Sequence, residues 1–321
     1  MRITMKAVNA SSGTSDRKKR IKKELHYFWE QRYMHILLLP AIIYFIVFCY
    51  APMYGLVIAF KEFSYTKGIM GSPWVGLANF ESFFNSMYFF RLIKNTVVLS
   101  LSNTLISFPI PIIFALLLNE VRNSKFRNTI QTISYFPHFV SIVIVVGMMH
   151  TLLSPEDGML NNFLGIFGIE PIPFMQSSAW FRPLYIISGI WQGFGWGSII
   201  YLAALTGIAP ELYEAAEIDG ASRFQKVTHI SLPSIMPTIM IMLILALDGV
   251  MNVGFEKVML MYNPGIYDVA DVISTYVYRK SIEGGEFSFG TAVDLFNNVI
   301  NFILIVFVNQ ISKKISEVSL W

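Results

Sequence analysis

The sequence is poor in charged residues. Asp, Glu, Lys and Arg make up only 14% of its 321 residues, whereas soluble domains usually carry about 25%. Apolar residues make up 54%, and they are concentrated in separate uncharged runs. This composition excludes an ordinary soluble domain and indicates an integral membrane protein.

Motifs for nucleotide binding, metal binding and covalent catalysis are also missing. The pattern G-x-x-x-x-G-K-[S/T], whose backbone amides hold ATP phosphates, occurs nowhere in the chain. There is no Cys/His cluster with metal-ligand spacing and no nucleophile motif, so we expect no metal and no catalytic residue. The single cysteine, Cys49, cannot form an intrachain disulfide. If ATP drives this protein, a partner subunit must bind the nucleotide, and this chain holds no cofactor.

Six apolar runs are candidates for membrane spans. A helix needs roughly 20 residues to cross about 30 Å of hydrocarbon. Because an open sheet would leave unpaired backbone groups in lipid, the spans are predicted to be helices and the fold class to be all-α. The predicted spans are Ile36 to Phe60, Asn95 to Asn119, Asn128 to Leu153, Pro183 to Ile208, Leu232 to Asn252 and Leu295 to Ser312.

Positive charge predicts the orientation of these spans. With both termini in the cytoplasm, the cytoplasmic segments hold 16 Lys and Arg and the external segments hold 8, which agrees with the tendency of basic residues to stay inside. The predicted organisation is a basic cytoplasmic arm at 1–35, a first span with its external loop at 36–83, a transmembrane domain at 84–312 and a cytoplasmic tail at 313–321. We expect a multi-pass protein of the bacterial plasma membrane.

Prolines and glycines predict the shapes of individual spans. Prolines remove backbone donors inside three of the spans, so kinks are expected there. They are Pro109 and Pro111 in the second span, Pro137 in the third and Pro237 in the fifth. On the fourth span, Gly189, Gly193 and Gly197 recur every four residues. This spacing places a smooth groove on one helix face and favours close contact with another helix.

The segment 210–233, between the fourth and fifth spans, is polar. Pro210 suits a first helical position, and three glutamates follow where the helix dipole favours anions. Gly220 offers a stop, after which Ser222 and Gln225 fit a capping box that starts a second helix. The segment is therefore predicted to form two short cytoplasmic helices joined at a glycine, which is the shape of a docking element.

The charge of segment 210–233 excludes nucleic acid as its partner. A helix-turn-helix of this size could read DNA. The segment is net negative, however, whereas binding to a phosphate backbone needs positive charge.

The letters of this segment resemble the EAA coupling loop of permease subunits in bacterial binding-protein-dependent ABC importers. All seven fixed positions of that pattern are filled. They are Glu214, Ala215, Ala216, Gly220, Ile230, Leu232 and Pro233. With six spans and no phosphate-binding motif, the chain from Phe84 onward is similar to the maltose-type carbohydrate permeases.

Two further stretches resemble the branch of that family that handles complex oligosaccharides, including plant cell-wall fragments. They are S-P-W-V-G-L-A-N-F from Ser72 and N-P-G-I-Y-D-V-A-D-V-I-S-T-Y-V-Y-R from Asn263, and the first span, P-A-I-I-Y-F-I-V-F-C-Y-A-P-M-Y-G from Pro40, carries the same resemblance. The resemblance implies a second permease subunit, an ATPase dimer that binds ATP, and an extracytoplasmic solute-binding lipoprotein. It also implies that Glu214 engages the ATPase and that Gly220 forms the bend.

Polar and aromatic residues in the last three spans are candidates for the substrate pathway. They are Trp191, Gln192, Trp196, Asp248, Asn252 and Asn298. An amide with aromatic neighbours can face sugar rings; alternatively, the tryptophans anchor the span and Gln192 bonds another helix. A different class of function, a secondary transporter or membrane enzyme using Asp248, would need ionisable groups in several spans. Asp248 is essentially alone, which disfavours that alternative.

Overall fold

The fold is described from a computed structural model. The structure describes residues 31–248, 251 and 253–316, so most of the basic arm, Asn252 and the residues after 316 lie outside the described part. Within that part the secondary structure is helical, apart from one isolated bridge between Lys61 and Trp74. The all-α prediction is therefore confirmed. The chain divides into two compact units, residues 1–57 and 58–321.

The helices follow one another with short connections. In the first unit, α1 (Arg32–Tyr44) continues through a π-helical turn (Phe45–Tyr50) into α2 (Ala51–Met53). The helices of the second unit are α3 (Gly68–Gly71), α4 (Ala78–Phe84), α5 (Phe89–Ser107), α6 (Pro109–Asn119), α7 (Ser124–Tyr135), α8 (Ile142–Leu152), α9 (Met159–Gly165), α10 (Ser178–Thr206), α11 (Pro210–Ile218), α12 (Arg223–Lys226), α13 (Leu232–Ser234), α14 (Met236–Asp248), α15 (Phe255–Met261), α16 (Tyr267–Ala270), α17 (Ile273–Tyr278) and α18 (Phe287–Ser316).

Three continuous helical stretches are long and apolar enough to cross a membrane. They are Arg32–Phe60, Phe89–Asn119 and Phe287–Phe307. Three bent helix pairs also qualify if each pair is counted as one span, which gives up to six among the described residues. These pairs are Ser124–Phe139 with Ile142–Leu152, Ser178–Thr206 with Pro210–Ile218, and Arg223–Ser234 with Met236–Ala246.

Proline explains two of the three bends. Pro137 lies in a 3-10 turn, Phe136–Phe139, and the helices on either side of this turn meet at 95°. Pro237 lies at the start of α14, where the preceding helix meets it at 60°. A proline supplies no N–H and its ring blocks the preceding turn, so the helix cannot continue straight. The kinks predicted in the third and fifth spans are confirmed. The second span differs, because Phe89–Asn119 is one continuous helical stretch through Pro109 and Pro111 and is not among the bent pairs.

Glycines allow α10 to approach its neighbours closely. A Cβ added to Gly197 would lie 3.3 Å from Cγ of Pro111 on α6, and one added to Gly195 would collide with the backbone of Ser134 on α7. The predicted close helix contact is thus confirmed at Gly197. Gly193 has open space around it instead, because it faces a cavity.

The segment from Gly254 to Glu286 lies between the predicted fifth and sixth spans, and it folds into short helices with a buried core. Its apolar side chains pack with Leu99 of α5 and with Phe181 and Tyr185 of α10. Asn95 of α5 donates from Nδ2 to the backbone oxygens of Asp268 and Asp271, at 3.0 Å in both cases. Apolar packing and these hydrogen bonds therefore hold the segment against the second and fourth spans.

A buried carboxylate lies at the centre of this packing. Asp271 is fully buried and accepts two hydrogen bonds from Nη2 of Arg279, at 2.9 and 2.8 Å. Arg91 reaches the same carboxylate from α5 at 3.4 Å, and Oγ1 of Thr275 donates to it at 3.1 Å. Burial alone would lower the pKa of Arg279, but its hydrogen bonds to Asp271 and Tyr262 raise it above the ordinary value. Arg279 therefore stays charged across the physiological pH range.

We expect Asp271→Asn to destabilise the protein strongly. The substitution leaves Arg279 and Arg91 without their counter-charge, and removing one partner of a buried ion pair typically costs about 3–5 kcal/mol. Thermal unfolding of the detergent-purified protein measures the loss. Glu286→Gln is the matched control, because its pair with Lys280 is exposed and such pairs contribute about 0–1 kcal/mol. Equal melting temperatures for the two variants would contradict this account.

Candidate coupling loop and substrate pathway

The helix carrying the three glutamates ends at Gly220. Gly220 has φ +78°, a left-handed conformation that glycine adopts without steric cost. The Ala221 N–H donates to the Ala216 carbonyl at 2.8 Å, and the Gly220 N–H donates to the Glu217 carbonyl at 3.1 Å. These two bonds form a Schellman motif, which satisfies the last carbonyls of α11. The predicted bend at Gly220 is thus set by backbone geometry.

The second helix begins with the predicted capping box. The Ser222 N–H donates to Oε1 of Gln225 at 2.7 Å, and the Gln225 N–H donates to Oγ of Ser222 at 3.4 Å. From there α12 continues into a π-helical turn, Val227–Ser231, and then into α13. The prediction of two short helices joined at a glycine is confirmed as a local fold.

Two contacts hold these helices together. The hydroxyl groups of Tyr213 and Ser231 are 2.9 Å apart, and Ser231 is fully buried. Lys226 pairs with Glu217 at 3.3 Å, but the Glu217 side chain is 72% exposed, so this pair contributes little. The buried hydroxyl contact therefore does more to fix the angle between the helices.

One side of the loop exposes apolar side chains. Ile218 is 87% exposed and Phe224 is 77% exposed, and Leu212 is also exposed. Glu214 and Ala215 are exposed beside them. We call these five residues the coupling face. A cluster of exposed apolar side chains outside the predicted spans is typical of a protein–protein contact.

The remaining signature residues lie behind the coupling face. Gly220 and Pro233 are exposed, whereas Ala216, Ile230 and Leu232 are half-buried. Ala216 and Ile230 line a small cavity of about 240 Å³ between the two helices. Lys226 and His229 complete its rim. The loop therefore offers a partner a projecting apolar face and a shallow recess.

The pathway candidates of the fourth span contact the break in the third span. Nε2 of Gln192 donates to the Val140 carbonyl at 2.7 Å. The Trp196 ring stacks on His138, with ring centroids 4.6 Å apart and the ring planes within 2°. Trp191 lines an apolar cavity of about 320 Å³. The contacts of Gln192 and Trp196 favour the structural alternative, in which they brace a neighbouring helix.

The other pathway candidates are on the fifth and sixth spans. Asn298 is exposed on α18, and no hydrogen bond or ring contact among the described residues joins it to the tryptophans. Asp248 ends α14, and its side chain lies outside the described part, as does Asn252. Asn301 accepts a hydrogen bond from the Met251 N–H at 3.1 Å and so ties α18 to the end of the fifth span.

Sequence reasoning missed one buried cation. Lys257 is 8% exposed, and its Nζ donates to the Tyr185 carbonyl at 2.6 Å and lies 4.5 Å from the centre of the Tyr185 ring. Burial lowers the pKa of Lys257 to about 8. The available signal was the charged pair Glu256-Lys257 in an otherwise apolar run, F-E-K-V-M-L-M from Phe255. Among the described residues, no group of three or more His, Cys, Asp or Glu could hold a metal ion.

Comparisons with known proteins agree with this arrangement. Residues 107–317 match the family described as "Binding-protein-dependent transport system inner membrane component". The polygalacturonan/rhamnogalacturonan transport system permease protein YteP of Bacillus subtilis (strain 168) is 44% identical over 317 residues, which cover 98% of this chain and 99% of the relative.

Solved structures of ABC transporters also contain chains similar to this one. A crystal structure of a bacterial ABC transporter involved in the import of the acidic polysaccharide alginate contains a chain that is 44% identical, with a TM-score of 0.86 over 92% of this chain and 99% of that chain. A second crystal structure holds the bacterial alginate ABC transporter in complex with an alginate pentasaccharide-bound periplasmic protein, and its matching chain is 42% identical with a TM-score of 0.85, covering 92% of this chain and 99% of that chain.

The family match covers about two thirds of the chain, and the relative matches nearly all of it. The chain is therefore a transport subunit rather than an enzyme, and ATP hydrolysis belongs to a separate subunit. It belongs to the family of inner membrane components of binding-protein-dependent transport systems.

Proposed function

We propose that this permease subunit imports acidic oligosaccharides, such as fragments of polygalacturonan or related polyuronates. The observation that carries the proposal is that two full-length neighbours, each 44% identical, belong to systems named for acidic polysaccharides. Both polymers carry a carboxylate on their uronic acid residues. In this proposal the chain pairs with a second permease subunit, an ATPase dimer binds ATP beneath them, and a solute-binding protein delivers the sugar from outside.

The coupling face is the proposed contact with the ATPase. Leu212, Ile218 and Phe224 expose apolar surface that a groove on the partner can bury. Glu214 lies among them, where its carboxylate can meet a basic group at the edge of the groove. Gly220 and the capping box define the angle between α11 and α12. The coupling face can therefore move as a single unit.

The proposed topology places six helices across the membrane with both termini inside. Three continuous helical stretches and at least one helix of each bent pair supply the six spans. The bend of 73° after Thr206 turns α11 away from the axis of α10, which suits a helix lying along the membrane surface. This topology puts segment 210–233 in the cytoplasm, where ATP is available.

Polar side chains of the fifth and sixth spans are proposed to line the route of the sugar, because the Gln192 amide of the fourth span is already bonded to Val140. Asn298 is exposed on a spanning helix, and an exposed amide in lipid would be costly. It therefore faces either water or the second permease. A proton-coupled mechanism based on Asp248 is the weaker alternative, because it would require further ionisable partners along the same route.

Transport should require the partner subunits. We expect uptake of labelled trigalacturonate into proteoliposomes only when the second permease, the ATPase and the binding protein are all present with this chain. The purified chain alone should not hydrolyse ATP, because it has no phosphate-binding motif. ATP hydrolysis by the isolated, contaminant-free chain would contradict the assignment. Efficient uptake without the ATPase would support the secondary-transporter alternative.

Glu214→Ala should weaken ATPase binding without affecting insertion into the membrane. Loss of a partly buried interfacial charge pair typically costs about 2–5 kcal/mol. Co-purification of the ATPase at matched permease levels measures this loss. Glu211→Ala is the control, since Glu211 is an exposed glutamate of the same helix outside the seven signature positions. Glu214→Lys should be more damaging. Full ATPase recovery with both Glu214 variants would show that this residue has no coupling role.

Gly220→Val should uncouple ATP hydrolysis from transport, whereas Gly220→Asn should not. A β-branched residue is strained at φ +78°, but asparagine tolerates the left-handed region. A Cβ at this position would meet no atom within 4 Å, so the two side chains differ in backbone preference rather than in steric fit within the chain. The ratio of sugar transported to ATP hydrolysed is the measurement. Identical ratios for Val and Asn would mean that the left-handed bend is not required.

A further inference from the structure

Lys257 is a buried cation with an incomplete set of partners. Its ammonium group has three N–H donors, and the Tyr185 carbonyl accepts one of them. The Tyr185 ring adds a cation–π contact. No carboxylate oxygen among the described side chains lies within ion-pair distance of Nζ. Among the described residues, the positive charge is therefore stabilised by neutral groups alone.

The other buried charge of the same segment is treated differently. Asp271 recruits two arginines and a threonine hydroxyl. Burying a charge costs free energy unless the charge is paired. A lysine that contributed only to packing could be replaced by an apolar residue with less cost. The contrast with Asp271 indicates that the charge of Lys257 serves a ligand rather than the fold.

A cavity lies next to Gly189, the residue that the ammonium group also approaches, although Lys257 itself is not among the residues that line it. It has a volume of about 300 Å³ and lies between α5, α6, α10 and the end of α14. Gly189 forms part of its wall. A Cβ on Gly189 would lie 3.2 Å from Nζ of Lys257 and 3.9 Å from Oδ1 of Asn103. The missing side chain thus lets the ammonium group approach this wall of the cavity closely.

The lining of the cavity suits a sugar ring. Asn103, Thr104 and Ser107 of α5 supply an amide and two hydroxyl groups. Phe108 and Phe194 supply aromatic surface. Oγ of Ser107 donates to Oδ1 of Asn103 at 3.3 Å, which orients the amide so that its NH₂ group can donate to a ligand. Amide and hydroxyl groups can bind sugar hydroxyls, and aromatic rings can face the apolar side of the ring.

We propose that Lys257 and this cavity form a carboxylate-selecting site for one uronic acid residue of the transported chain. The ammonium group pairs with the sugar carboxylate, while Asn103, Thr104 and Ser107 bind its hydroxyl groups. A neutral hexose would leave the ammonium unpaired, so the site discriminates by charge as well as by shape. The inference rests on the proposed function and deepens it, because it names the residue that selects acidic sugars within the permease.

Charge selectivity tests the proposal. The complete importer is reconstituted in proteoliposomes, and uptake of trigalacturonate is compared with uptake of its methyl ester. The same binding protein is used throughout, so its own preference cancels between wild type and variant. We expect Lys257→Gln to lower uptake of the acid by about tenfold or more, because a charge-assisted hydrogen bond is lost, and to leave uptake of the ester nearly unchanged. Lys257→Arg, which keeps the charge, should retain most of the preference.

Lys280→Gln is the matched control. It removes the same charge from the same segment, but Lys280 is exposed and paired with Glu286 at 2.9 Å, away from the cavity lining. For this variant, the ratio of trigalacturonate uptake to methyl ester uptake should equal that of the wild type. An equal fall in uptake of both sugars by Lys257→Gln, or no fall in either, would overturn the proposal. If the complete wild-type importer takes up neither sugar, the proposed substrate class itself is wrong.

Thermal unfolding separates a binding role from a structural one. The pKa of Lys257 in the folded chain, about 8, is below its ordinary value of 10.5. The unfolded chain then binds more protons between these two values, so wild-type stability should rise with pH across this window. Below about pH 8 the cost of burying the charge is fully present. The melting temperature of Lys257→Met at pH 7 should therefore be no lower than that of the wild type. The variant should also lack the increase in stability with pH that is expected of the wild type. A clear destabilisation would assign Lys257 to the fold and contradict the proposal.

Discussion

A charge that is removed from water must be balanced by another group, and much of this structure depends on how each buried charge is balanced. Asp271 is balanced completely, because Arg279 comes from its own segment and Arg91 from α5. The pairing fixes residues 254–286 against the second span, and the hydrogen bonds of Asn95 to the backbone of Asp268 and Asp271 fix the same contact. A segment held this firmly can position a second charge accurately. That charge is Lys257, which the fold leaves without an acidic partner among the described residues.

At the opposite end of α10 the dominant constraint is backbone geometry. The coupling loop has few buried side chains, so its shape depends on local hydrogen bonds rather than on a core. The Schellman motif ends α11 at Gly220, and the capping box starts α12 two residues later. These motifs hold the exposed side chains of Leu212, Ile218 and Phe224 in place without requiring a large hydrophobic cluster. The loop can therefore expose apolar surface to a partner and still keep one conformation.

Local features of this chain could be predicted from the sequence, and long-range contacts could not. Gly220, the capping box at Ser222 and the kink at Pro137 follow from the chemistry of one or two adjacent residues, and the structure has all three. Span boundaries were less accurate. The helix of the last span begins at Phe287 rather than Leu295, and the helix of the second span begins at Phe89 rather than Asn95. The predicted spans were defined as uncharged runs, so they could not extend past the charged residues Asp294 and Lys94, although the helices do. The contacts of Lys257 with Tyr185, and of Asp271 with Arg91, join residues far apart in sequence. No local pattern encodes such pairings.

One helix contributes to both proposed sites. The 29 residues of α10 span roughly 43 Å at 1.5 Å per residue. Toward its first turns α10 provides the Tyr185 carbonyl that binds Lys257 and the glycine that opens the cavity. At its last turn it connects, through a break of three residues, to α11 and the coupling face. Gly195 and Gly197 pack directly against α7 and α6, so a shift of α10 must be accommodated by these neighbours. In the proposal, a displacement of the coupling face would reach the sugar site through the continuous backbone of α10. The proposed carboxylate site and the ATPase contact are thus connected by backbone, and α10 is the element whose movement both of them would sense.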